Sequence, residues 1–69
     1  MRQDTLPVSG MSCEHCERTV VAALGALPGV SSVEASHTQG RVVVRYDESV
    51  ASIEAIEAAI VEAGYTVDR

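Results

Sequence analysis

Sixty-nine residues with a net charge of −5 make one small domain, 46% apolar and without Phe or Trp. A chain this short buries only about 60% of the surface that its unfolded form exposes, so a deep substrate cavity is excluded and function must lie on the surface. The five basic residues are all arginine (Arg2, Arg18, Arg41, Arg45 and Arg69) and are scattered; this excludes the basic patch that nucleic acid requires, and no run of about 18 apolar residues could span a membrane.

The first residues, Met1-Arg2-Gln3-Asp4-Thr5, lack the apolar core of a signal peptide, so the chain reads as cytosolic. Thr5 to Ser9 alternates apolar and polar and stops at Gly10, which predicts a first strand with Leu6 and Val8 inward. Pro7 has no N–H for a ladder bond, so an interruption is expected there. From Glu14 to about Leu27 the period changes: Val20, Leu24 and Leu27 fall at i, i+4 and i+7, and Pro28-Gly29 ends the helix. Glu14 and Glu17 read as solvated.

Val30 to His37 alternates again, with Val33, Ala35 and His37 on one face. Thr38-Gln39-Gly40 turns the chain into a strand from Arg41 to Tyr46, with Val42, Val44 and Tyr46 inward. Val43 falls on the outer face. A polar connector, Asp47 to Ser52, leads to a second helix that Ser52 can cap, with Glu54 in its first turn and Ile53, Ile56 and Ile60 as core stripe. It runs to about Ala63, Gly64 ends it, and Tyr65-Thr66-Val67 is a last short strand. The order strand, helix, strand, strand, helix, strand is the α+β ferredoxin-like βαββαβ sandwich, two helices on one face of a four-stranded antiparallel sheet, over a single domain spanning residues 1–69.

The chemistry concentrates in Gly10-Met11-Ser12-Cys13-Glu14-His15-Cys16, which holds both cysteines. In a reducing compartment such a pair binds metal or is redox-active rather than serving as a staple. Cys13 falls in the loop after the first strand and Cys16 in the first helical turn, where unpaired N–H groups and the helix dipole favour thiolate. Two soft thiolates without further strong ligands suit Cu(I). A structural zinc wants four ligands, and only His15 and His37 could add to the set: His15 points away if both cysteines face one ion, and His37 lies far along the chain. An exposed two-coordinate ion is open to attack by a third thiolate, which suits a carrier. Mercury also accepts two thiolates, and a dithiol oxidoreductase would use the same pair, although the chain is short for that fold.

The motif resembles the Gly-Met-x-Cys-x-x-Cys signature of the heavy-metal-associated domain, and Leu27-Pro28-Gly29-Val30 and Ala63-Gly64-Tyr65 extend the likeness from Thr5 to Val67. Within that family the Met-x-Cys-x-His-Cys variant and Tyr65 resemble the small bacterial copper chaperones. The resemblance implies Cu(I) as cargo, a cytoplasmic setting, and delivery to a copper-transporting P-type ATPase or a copper-sensing repressor, by a carrier that is not an enzyme. It also admits the metal-binding domain of a heavy-metal ATPase or a mercury carrier. Cys13 and Cys16 carry over as metal ligands. Met11 carries over as a buried prop of the loop, with Ser12 beside it in the motif, and Tyr65 as a shield packed near the site. The resemblance gives His15 two roles, tuning the thiols or binding in a copper-bridged dimer of an otherwise monomeric protein. The absence of Lys leaves docking charge to Arg18 or the acidic residues.

Overall fold

Period-two alternation and two 3.6-period stripes converge on one aliphatic layer. The computed structural model describes residues 2–68; Met1 and Arg69, the latter one of the five arginines, lie outside the described residues. The elements are β1 (Arg2–Ser9), α1 (Glu14–Gly25), β2 (Val30–Ser36), β3 (Arg41–Tyr46), α2 (Ile53–Glu62) and β4 (Thr66–Val67). The strands form one sheet in the order β2-β3-β1-β4, and every pairing is antiparallel. Both helices cover one face. Leu6, Val8, Val42, Val44 and Tyr46 from the sheet meet Val20, Leu24, Ile56 and Ile60 from the helices, all buried, with Met11 and Ala51 closing the two ends.

β1 begins three residues before the expected Thr5. Its polar start, Arg2 to Asp4, carries no apolar alternation and is held by pairing with Val44–Tyr46 of β3. The Tyr46 hydroxyl adds a 2.6 Å hydrogen bond to Asp4 Oδ2. Pro7 falls in a central strand, at the last rung opposite Arg41, just before β4 takes over at Val8 opposite Val67. It therefore interrupts the interior of neither ladder, and its carbonyl accepts from the Asp68 N–H at 2.8 Å.

α1 stops at Gly25, two residues short of the expected end, because a residue preceding proline disfavours helical backbone. Leu27 still packs on the core, from the turn. That turn closes tightly: Gly29 sits at φ +90°, and the Asp47 N–H donates to its carbonyl at 2.7 Å. β2 carries a bulge at Ser31, and His37 falls in the turn rather than the strand. Val43 is half-buried on the outer sheet face. The connector before α2 is not wholly polar, since Ala51 is buried in it.

Ser52 caps α2 as expected, accepting from the Ala55 N–H at 3.2 Å. Beyond Glu62, the Gly64 N–H bonds to the Val61 carbonyl and the Tyr65 N–H to the Ile60 carbonyl, a paired closure that needs the left-handed backbone of Gly64. Tyr65 thus belongs to the end of the helix, and β4 is only Thr66–Val67. Among the described residues no helix is long and apolar enough to cross a membrane.

Candidate metal centre

The loop between β1 and α1 is built from glycine, a buried methionine and a helix start. Gly10 adopts φ +98°, and a Cβ there would lie 3.3 Å from Cδ1 of Tyr65, so the loop passes directly under the tyrosine ring. Met11, 8% exposed, drops into the core and anchors the loop from below.

Cys13 stands at the N-cap of α1 in extended backbone (φ −161°, ψ 176°) and makes no side-chain capping bond. Its carbonyl instead receives the N–H groups of Cys16 (3.1 Å) and Glu17 (3.3 Å). Helical geometry then places the two sulfurs at the same mouth, Cys13 exposed and Cys16 half-buried, both as free thiols. His15 is exposed on the first turn, where its carbonyl accepts from the Thr19 hydroxyl at 3.0 Å. Among the described residues no three His, Cys, Asp or Glu side chains converge as a larger metal cluster.

The electrostatics single out Cys16. Hydrogen bonding from the Tyr65 side chain, then from the Ser12 backbone, pulls its thiol from an ordinary 9.0 down to about 6, against the opposing effect of burial. Ser12 Oγ also lies 3.9 Å from the sulfur. The same contact pushes Tyr65 up, because the phenol is held as a donor to Cys16, while Thr19 hydrogen-bonds Tyr65 and acts the other way. Cys16 is therefore largely thiolate at neutral pH, the form that binds a soft metal. The expectation of a lowered cysteine rested on the helix end; the named donors here are Tyr65 and Ser12.

Thr19 went unnoticed in the sequence, although it lies three residues after Cys16 and so on the same helix face. Glu17 corrects an expectation outright. It is not solvated: one carboxylate oxygen accepts from the His37 backbone N–H and pairs with His37 Nδ1, both at 2.6 Å. These bonds, foremost the backbone one, hold the Glu17 carboxyl below its usual range. His37 is thereby joined to the first turn of α1.

The heavy-metal-associated domain model matches residues 5–66. Copper chaperone CopZ of Bacillus subtilis (strain 168) is 43% identical over the whole of both chains. A solved structure described as CopZ metallochaperone superposes with a TM-score of 0.94 at 39% identity, covering 96% of this chain and 98% of the other. A copper binding domain from HMA7, a P-type ATPase, superposes at 0.95 with 32% identity, covering 99% and 92%. The chain belongs to the heavy-metal-associated domain family, and the small bacterial copper chaperones are among its relatives.

Proposed function

We propose that this protein is a copper chaperone that holds one Cu(I) between the thiolates of Cys13 and Cys16, in the cytoplasm, and passes it to a copper-transporting P-type ATPase. The observation that carries this reading is the pairing of an exposed Cys13 with a Cys16 pulled down to about 6 at one surface mouth. Two thiolates satisfy a soft monovalent ion and leave its remaining side open. Ser12 and Tyr65 lie at Cys16, Met11 supports the loop from the core and His15 stands on the first turn; none of them is needed as a ligand.

Transfer follows from that openness. A thiolate of the acceptor forms a third Cu–S bond, and a Cu–S bond to Cys13 or Cys16 then breaks. A second exchange of the same kind breaks the remaining Cu–S bond to this protein, and protons lost from the acceptor thiols pass to solvent. Copper stays monovalent throughout, so no oxidant or reductant is consumed and the protein acts as a carrier, not an enzyme. The acceptor reading is supported by the HMA7 domain, a copper-binding part of a P-type ATPase with the same fold; a copper-sensing repressor is a second acceptor of the same thiolate chemistry.

The test is an anaerobic competition titration of reduced protein, with Cu(I) and Zn(II) each set against a chromophoric chelator. One Cu(I) per chain, much weaker Zn(II), and loss of Cu(I) in Cys13→Ser and Cys16→Ser are expected. Retention of tight Cu(I) by both variants, or stronger Zn(II) than Cu(I), would overturn the reading.

A further inference from the structure

We propose that Glu17 is a positioning residue for the dithiol, coupling the carbonyl of Cys13 to the turn after β2 so that the first turn of α1 is held in place. A helix start normally has its free N–H groups tied by a side chain at the N-cap, as Ser52 does for α2. Here the N-cap is Cys13, which makes no such bond, and a sulfur that is to hold metal must stay free of one. The first turn of α1 therefore lacks its usual fastening at the point where Cys16 must be aimed.

Glu17 supplies a fastening from the side. Its backbone N–H donates to Cys13 O at 3.3 Å. Its side chain accepts from the backbone N–H of His37 at 2.6 Å and pairs with the ring Nδ1 at the same distance. One residue thus joins Cys13, at the start of the helix, to His37, which lies 20 residues beyond Glu17 in the chain. Both side chains are shielded in part, at 24% exposed for Glu17 and 29% for His37, so the connection is not a fully solvated surface ion pair. Because one of the two bonds goes to main chain, the anchor is set by the hairpin backbone and survives loss of the His37 ring.

The consequence for copper rests on the chaperone reading above; the consequence for the metal-free helix does not. The test compares Glu17→Ala, which removes both bonds, with Glu17→Gln, which keeps an acceptor oxygen, and His37→Ala, which keeps the backbone bond. Tyr46→Phe, at the opposite end of β1 from the loop, serves as a control for general stability. In metal-free reduced protein, amide hydrogen exchange at Cys16 and Glu17 is expected to quicken about tenfold in Glu17→Ala, with Leu24 unchanged and Glu17→Gln close to wild type. In loaded protein, release of Cu(I) to a chelator is expected to quicken about tenfold in Glu17→Ala and less in His37→Ala, and to be unaltered in Tyr46→Phe. Wild-type exchange at Cys16 in both Glu17→Ala and His37→Ala would overturn the proposal, as would equal acceleration along the whole of α1. If Glu17→Ala does not fold, Glu17→Asp, whose shorter side chain draws the carboxylate away from His37, is read in the same way, and wild-type exchange at Cys16 in that variant would overturn the proposal. Failure of the wild-type protein to bind Cu(I) would overturn the chaperone reading alone, and the exchange data would still judge the anchor.

Discussion

Tyr65, carried just past the end of α2, lies beside the Cys16 thiol in the first turn of α1, and the influence of each on the other moves the two groups in opposite directions, the thiol down to about 6 and the phenol up. The contact joins residues 49 apart in sequence. It depends on Gly10, whose missing side chain lets the loop approach the ring.

Removing that hydroxyl has a defined sign. In a Cys13→Ser background, alkylation of Cys16 in metal-free protein is expected to follow a titration near pH 6, and Tyr65→Phe to move it upward toward the ordinary 9.0. A group that is more acidic folded than unfolded contributes stability that is complete above its unfolded value and gone below its folded one. The urea midpoint of the metal-free, reduced protein should therefore rise between pH 6 and pH 9 through Cys16, and rise less in Tyr65→Phe. Alkylation profiles that coincide in the two proteins would refute the assignment.

The far end of the sheet makes a contrasting case. Tyr46→Phe leaves Asp4 without its 2.6 Å phenolic donor but keeps the buried ring, and about 1 kcal/mol of stability should be lost. Chelator competition should find copper affinity unchanged.

Leu24 is fully buried at the centre of the aliphatic layer. Leu24→Ala is expected to cost about 2–5 kcal/mol, comparable with the roughly 3–5 kcal/mol that so small a core supplies. Circular dichroism should show the metal-free variant largely unfolded at 25 °C, and saturating metal should restore part of its structure by mass action.

Two glycines respond oppositely. At Gly29, φ +90° and a would-be Cβ only 2.9 Å from Val50 Cβ make Gly29→Ala destabilising, by about 2 kcal/mol or more. Gly25 closes α1 with nothing within 4 Å of its would-be Cβ. Gly25→Ala should stabilise by about 0.5 kcal/mol. Urea denaturation of both variants checks the contrast.

Local pattern carried the architecture. β3 falls at Arg41–Tyr46 as its alternation predicts, Ser52 caps α2, and every residue of the two expected helical stripes is buried or packs against the core. What escaped the sequence was set by tertiary placement. The start of β1 is a strand because β3 offers it a partner, and no apolar period in Arg2-Gln3-Asp4 announces that. Glu17 looks like any exposed helical glutamate until the hairpin brings His37 beside it. The loop residues could be nominated from the motif, yet the donor that tunes Cys16 depends on where the end of α2 comes to rest.

The two tyrosines also have a practical consequence. With no Trp in the sequence, ultraviolet-excited emission comes from Tyr46 and Tyr65 alone. Tyr46 is tied to Asp4 at the end of the sheet remote from the thiols, whereas Tyr65 touches Cys16. The molecule therefore contains one reference fluorophore whose surroundings do not change with the site and one built-in probe, and the arrival or departure of an ion at Cys16 should be readable as a change in tyrosine fluorescence without any added label.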